Sequence, residues 1–414
     1  MKILLLHQNY PGQYRHFLNW LVSRREHEIV FLTQREQVPE TDTHRIIRYK
    51  PHHKPADDAY ALSKYFESCC GSALAVVEEC WKLNEAGFKP DIAIGHCGWG
   101  EMMFIKDVWP DVPVVSYFEY YFTAHGGAVG YDPEFPASKY MPFIMRARNA
   151  CHYISYDRCD AGQTATQWQK NIYPESFHPK IRVIHEGVRT EINKPDPNAT
   201  IRLGRINRPI TPNDEVFTYM ARNMEPVRGF HIMMRALPDI LEARPNARAV
   251  MIGGNDVSYG AELPNGETYR QRMEREVGRD IDWSRVHFVG QVPYDTYVRA
   301  IQVSRCHIYL TVPFVLSWSL LESMSTGKTI VASATAPVKE VIRDGQNGLL
   351  VDFLNPKELA KRVIDVLAHP DDYADIGKAA RQTVLQKYDH HRVCLPKYIN
   401  YLNRLLPKQK RLTM

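Results

Sequence analysis

Residues 311–332 read TVPFVLSWSLLESMSTGKTIVA, and their reading decides the fold. Ile308–Val312 is a short apolar run suited to a buried parallel strand. Phe314–Trp318 reads as a turn. Leu320, Leu321 and Met324 then recur at helical spacing, with Glu322 projecting from the same short helix. Gly327 sits where a left-handed helix cap is wanted, and Lys328–Ala332 restarts a β-branched strand. In such a β-loop-α-β unit the loop lies at the carboxyl end of the strand, where open α/β sheets bind ligands. The helix N-terminus there offers backbone N–H groups suited to phosphate.

The same grammar runs outward in both directions. Upstream, strands are expected at Val216–Met220, at Ala247–Ile252 (ending in Gly253-Gly254-Asn255) and at Val286–Val289 (ending in Gly290), with helices at Phe230–Ala243 and Tyr294–Ser304. The first half opens with the strand Lys2–His7, the helix Arg15–Arg24 and the strand His27–Leu32. Gly12, in the first loop, lets backbone approach a ligand closely. Asp91–Gly95 ends in His96, and Pro113–Tyr117 ends in Phe118-Glu119, so both strands carry polar groups to one crevice. Tyr121–Ser138, rich in Gly, Pro and aromatics, is long for a connection and reads as a binding loop. Cys151–Tyr156 and Arg182–His185 complete the strands expected there. Arg189–Asp214 carries prolines and charges without periodicity, which places a linker in it. The expected organisation is an N-terminal domain 1–195, a linker 196–213, a second domain 214–388 and a final helical segment 389–414.

At 414 residues the chain exceeds one comfortable core, in keeping with two domains. Apolar content of 44% and charged content of 24% are those of a soluble globular protein. The net charge of +5, with a basic run at Arg45–Lys54, permits an anionic substrate, peripheral contact with an anionic membrane, or nucleic acid, and selects none. The eight cysteines form no C-x-x-C pair and read as reduced core residues of a cytoplasmic protein. His52 and His53 lack further ligands at metal spacing, so no metal is expected. The apolar start is too short for a signal peptide, and no run approaches a membrane span.

Taken jointly, the motifs of the second half resemble the retaining glycosyltransferases of family 4 (glycosyl transferases group 1). Ala221-Arg222 and Arg228-Gly229 stand where that family has Gly-Arg and Lys-Gly. Val250-Met251-Ile252-Gly253-Gly254 matches its Gly-rich turn, Val286–Gly290 its V-x-F-x-G strand, and Lys339–Val351 its P-E-V-I-x-x-G-x-x-G-x-L-V segment. Glu322 matches the second Glu of its E-x7-E motif. The resemblance covers Val216–Lys387 well and the first half mainly in layout. It implies an α/β protein of the GT-B fold, two doubly wound Rossmann-like domains facing across a cleft, with residues 389–414 packing back on the first.

The resemblance implies transfer of a sugar from a nucleoside diphosphate, UDP or GDP, to a hydroxyl acceptor with retention and without metal. No cofactor is implied beyond the nucleotide-sugar as co-substrate. Arg222 and Arg228 would neutralise the diphosphate, Glu322 would accept from ribose hydroxyls, and Ser317, Trp318 and Ser319 would offer backbone N–H groups. Gly12 and Gly253 would line the donor. Glu119 stands where the family has a strand-end His, and with His96 is the candidate for the acceptor hydroxyl. The first Glu of E-x7-E is replaced by Phe314, which cannot accept a hydrogen bond; His307 is the local polar alternative. The acceptor stays open between a glycan, a lipid-linked intermediate, a small molecule and a modified DNA base. A non-catalytic sugar-nucleotide-binding module is the rival from another class.

Overall fold

Lys2–Leu6 (β1) is buried along almost its whole length, and the first sheet grows outward from it. Its partners are β2 (Glu28–Thr33), β3 (Arg45–Arg48), β4 (Ile92–His96), β5 (Val114–Tyr117), β6 (Ala161–Thr164) and β7 (Ile181–Val183), in the order β3-β2-β1-β4-β5-β6-β7, all parallel. A second parallel sheet orders β10-β9-β8-β11-β12-β13, with β8 Val216–Asn223, β9 Arg248–Gly254, β10 Val286–Gly290, β11 Cys306–Tyr309, β12 Thr329–Ser333 and β13 Leu349–Val351. These elements are those of a computed structural model that describes every residue except Arg205.

Parallel strands need helices on both faces, so their side chains sort by the period of two. Ile3 and Leu5 join Phe17, Leu21, Tyr398 and Leu402 on one face of the first sheet. Leu4 and Leu6 join Val76, Cys80 and Leu83 on the other. In the second sheet Ile330 and Ala332 pack on Leu320, Leu321 and Met324 of the helix Trp318–Ser325. Gly327 follows that helix at φ 73°, in the left-handed cap conformation.

The chain forms two units, one of Met1–Gly130, Phe135–Gly187 and His390–Met414, the other of Tyr131–Glu134 and Val188–Asp389. Three expectations are corrected. Residues 196–213 are not a linker: Ile201 and Ile210 pair in an antiparallel bridge, and Ala199, Ile201, Leu203 and Ile210 are buried against Tyr297, Val298 and Ile301 of the second unit. Their prolines shape a packed irregular segment. Cys151–Tyr156 is not a strand but lies in a helix, Ala150–Arg158, whose buried residues Cys151, His152 and Ser155 share one helical face. The strand is the small-residue segment Ala161–Thr164, where a Cβ on Gly162 would stand 2.7 Å from the Phe118 ring. Finally, four residues of the long loop after β5 belong with the second unit. Asp132 accepts from His231 Nε2 at 2.7 Å, and Glu134 accepts from Arg235 Nη1 and Nη2 at 2.7 and 3.1 Å.

Asp214 closes the packed segment 196–213. It accepts from Thr211 N at 2.9 Å and from Arg208 Nη1 at 3.0 Å, and the Arg208 bond, ahead of the Thr211 bonds, holds its pKa down to about 2. A depressed carboxyl adds stability that is present above its unfolded pKa and is lost as pH falls through the folded one. Asp214→Asn should therefore cost about 1–2 kcal/mol at neutral pH, after discounting for the exposed Arg208. In urea titrations the gap from the parent should narrow below about pH 4; a gap independent of pH would refute the ion-pair account.

Candidate functional site

Sealed faces leave the strand carboxyl ends as the place for polar chemistry, and both sheets use them. In the first unit His7 follows β1, His96 ends β4, Glu119 lies two residues beyond β5 and His185 two beyond β7. Each histidine makes the same local bond. Nδ1 of His7 accepts from Asn9 N at 2.9 Å, that of His96 from Gly98 N at 3.0 Å, and that of His185 from Gly187 N at 2.9 Å. An Nδ1 that accepts leaves the proton of a neutral ring on Nε2. His96 Nε2 thus donates to Glu119 Oε2 at 3.2 Å. His7 Nε2 donates to Gln13 Oε1 at 2.5 Å, and Gln13 Nε2 donates to Glu119 Oε1 at 2.6 Å. Both carboxylate oxygens receive a hydrogen bond. Burial works to raise the Glu119 pKa, but the bond from His96, the nearby imidazoles and Gln13 outweigh it and hold the carboxyl below its usual range. Trp99 stacks on His96 at 4.0 Å, and Gly12, at φ 53°, makes room for His7: a Cβ there would stand 2.4 Å from the ring.

In the second unit Arg228 is buried at 5% exposure. Its Nη1 donates to Thr311 Oγ1 at 2.9 Å and to Val315 O at 3.0 Å, which ties it to the loop after β11. Its guanidinium lies 5.4 Å from the Tyr259 ring and 5.3 Å from the Phe314 ring. Tyr259 is placed by Glu225, a fully buried carboxylate that accepts from Ser258, Tyr259 and Gly260 N at 3.3, 3.0 and 2.9 Å. Glu225 is thereby spent on backbone, and Arg228 forms no ion pair among the described residues. Arg222 is exposed near the end of β8 and likewise forms none. Arg228, without a carboxylate partner and just before the start of the helix Phe230–Ala243, is suited to an anion. Gly253 bends the end of β9 at φ 150°, where a Cβ would stand 2.2 Å from Ala221 O.

Glu322 is 7% exposed and accepts from Tyr294 OH at 2.7 Å, while Tyr294 OH accepts from Asn193 Nδ2 at 2.8 Å. The neighbouring loop differs from expectation. Ser317 N donates to Tyr309 OH at 2.9 Å, so this N–H, foreseen for a diphosphate, is engaged within the chain. Trp318 and Ser319 open the helix, and Ser317 Oγ meets Ser319 Oγ at 2.5 Å. His307 is no substitute for the missing carboxylate at position 314. It is sealed within β11, bonded through Nδ1 to Thr218 Oγ1 at 2.8 Å, and burial lowers its pKa to about 3. His52 and His53 pair with Glu78 and Glu67 at 2.8 and 2.5 Å. His7, Gln13, Trp99, Glu225 and Tyr259 were not singled out from sequence. For the first two, the polar run directly after an apolar strand was the available signal.

Gln13→Ala removes one of the two donors to Glu119. The Glu119 pKa should rise, read by carboxyl-carbon NMR titration, with the fold intact by circular dichroism. An unchanged titration would show that the imidazoles set it without Gln13.

Two family models match side by side: "Glycosyl transferase family 4 group" over residues 25–192 and "Glycosyl transferases group 1" over residues 205–383. Among curated proteins, a D-inositol 3-phosphate glycosyltransferase of Streptomyces scabiei is 25% identical over 69% of this chain and 60% of its own length. Spore coat protein SA of Bacillus subtilis is 28% identical over 41% of this chain and 44% of its own. The chain thus spans less than two thirds of these relatives. A sulfoquinovosyl transferase of Arabidopsis thaliana is 23% identical over 92% of this chain and 68% of its own. Among solved structures, Anabaena HepE in complex with UDP and glucose aligns with a TM-score of 0.69 at 15% identity over 97% of this chain and all of that one. A sucrose-phosphate synthase of Thermosynechococcus elongatus aligns at 0.71, with 16% identity over 98% and 99%. With both family models matched and the two-sheet GT-B fold shared, the chain belongs to the family 4, group 1 glycosyl transferases.

Proposed function

We propose that this chain moves a sugar from a nucleoside diphosphate, UDP or GDP, to a hydroxyl acceptor, with retention and without a metal ion. The observation that carries the reading is the unneutralised Arg228, held by one edge to the loop after β11 with its remaining N–H groups unbonded among the described residues. A diphosphate taking the remaining N–H groups, with Arg222, replaces the charge neutralisation a metal would otherwise give. Glu322 accepts from the ribose. The bond from the anomeric carbon to the phosphate oxygen breaks with its electron pair going to the diphosphate, and the acceptor oxygen bonds to the same carbon. Retention follows when it does so on the face the diphosphate leaves, where the leaving oxygen is the nearest base for the acceptor proton. Glu119, held below the usual carboxyl pKa, is a weak base; its proposed part, with His96, is to orient the acceptor hydroxyl. The relative named for D-inositol 3-phosphate favours a polyol or sugar hydroxyl over a modified DNA base.

Phe314 supports one rival, a module that binds a sugar-nucleotide without turning it over. Thermal shift with UDP- and GDP-sugars in the presence of chelator tests both. A donor at about 100 times its Kd should stabilise by about 2.7 kcal/mol, and Arg228→Ala and Glu322→Ala should each abolish the shift. No shift with any donor overturns the donor site. A shift without release of nucleoside diphosphate, with acceptors or water, leaves the binding module.

A further inference from the structure

Two hydrogen-bonded arms converge on Glu119, and one side chain touches both. His96 donates to Glu119 directly, and His7 reaches it through Gln13. Trp99 lies face-on to the His96 ring, with centroids 4.0 Å apart and planes 21° from parallel. It meets the His7 ring edge-on, at 5.2 Å and 62°. The two imidazoles are themselves 5.2 Å apart, so the three rings close a triangle. Both histidines are 2% exposed, whereas Trp99 is only partly buried. Tyr117 lies nearly parallel to His96 at 5.5 Å, and Tyr14 meets His7 at 6.1 Å. Trp99, from the loop after β4, is nearer to each histidine than either tyrosine is.

The backbone on either side of Trp99 is built to hold it there. A Cβ on Gly98 would stand 2.7 Å from His96 Cε1, and Gly98 O accepts from Tyr65 OH at 2.6 Å. Gly100 adopts φ 98°, and a Cβ there would stand 2.2 Å from Cys69 O. The imidazoles need a brace. The bond to Nδ1 fixes one edge of each ring but leaves the ring free to tilt about it. His96 Nε2 stands 3.2 Å from Glu119 Oε2, already at the long end of an N–H···O bond, so a small tilt breaks it. A flat ring against the imidazole face resists that tilt; an aliphatic side chain fills the volume without matching the plane. We propose that Trp99 is a positioning residue of the acceptor site, bracing both histidines so that their hydrogen bonds hold Glu119 toward the acceptor hydroxyl. The inference rests on the reading of Glu119 as the group that orients the acceptor.

Two substitutions separate ring from bulk: Trp99→Phe keeps a ring face on His96, and Trp99→Leu keeps apolar volume without one. Nitrogen NMR of the imidazoles should show His96 protonated on Nε2 in the parent and in Trp99→Phe, and divided between both ring nitrogens in Trp99→Leu. Carboxyl-carbon NMR should place the Glu119 titration higher in Trp99→Leu alone, because burial then pushes the carboxyl up against a weakened bond from His96. With a donor identified by thermal shift, kcat for transfer should fall about tenfold in Trp99→Leu and less than about threefold in Trp99→Phe, with donor KM unchanged. An unchanged circular dichroism spectrum excludes misfolding; if Trp99→Leu does not fold, Trp99→Met supplies the same contrast. Identical imidazole and carboxyl spectra in the parent and Trp99→Leu, or equal changes in both variants, overturn the proposal. The NMR readouts need no substrate. Altered spectra in a chain without turnover would uphold the bracing and count against the transfer reading alone.

Discussion

A parallel strand covered by helices on both faces can hold a polar side chain only where a partner is buried with it, as Thr218 is with His307; an open place for one comes at the strand's end. The polar cluster of the first unit obeys that constraint. β1 offers four fully buried aliphatic residues, and the first side chain free to be polar is His7. The same holds for His96 and Glu119 at neighbouring strands. A histidine at such a point must be held, because the chain has just left the regularity of the sheet. The bond from Nδ1 to the N–H two residues on does this locally, three times over. It also fixes the proton on Nε2, and hence makes His96 and, through Gln13, His7 donors toward Glu119. The anionic state of that carboxylate is therefore decided by how three strands end.

The second unit solves the complementary problem of keeping cations available. A buried glutamate three residues from Arg228 is an obvious partner for it. Instead Glu225 is satisfied by three consecutive backbone N–H groups, as an anion would be at a helix start. Had it paired with Arg228, the site would have neutralised itself. The same bonds deliver Tyr259 beside the guanidinium, opposite Phe314. These two rings shield the arginine without neutralising it, since a ring face attracts a cation but carries no net charge.

Much of this was legible from sequence where the pattern is local. Continuous aliphatic runs gave the buried strands, and helical spacing gave Phe230–Ala243 to the residue. Gly253 stood out through the match to the family's Gly-rich turn, and the structure supplies the reason, since a Cβ there would stand 2.2 Å from Ala221 O. The segment Cys151–Tyr156 misled because a short apolar run has no period of its own; helix and strand differ there only in what covers them. Ala161–Thr164 escaped notice because its fit depends on a ring from Phe118 lying across Gly162. Residues 196–213 look like a linker by composition and are core by contact. The link from His7 through Gln13 to Glu119 spans 106 residues between its last two members, and no spacing rule reaches across that distance.

The excursion Tyr131–Glu134 bears on how this protein can be recombined. The chain passes between its two units at residues 130/131, 134/135, 187/188 and 389/390, so neither unit is a continuous segment. A hybrid joined at 187/188 would take everything before Val188 from one parent and everything after it from another. Here a half grafted at that point would arrive without Asp132 and Glu134, and His231 would keep its burial but lose its carboxylate. A working hybrid has to carry four residues from the other side of the joint, which makes this short excursion a barrier to modular exchange.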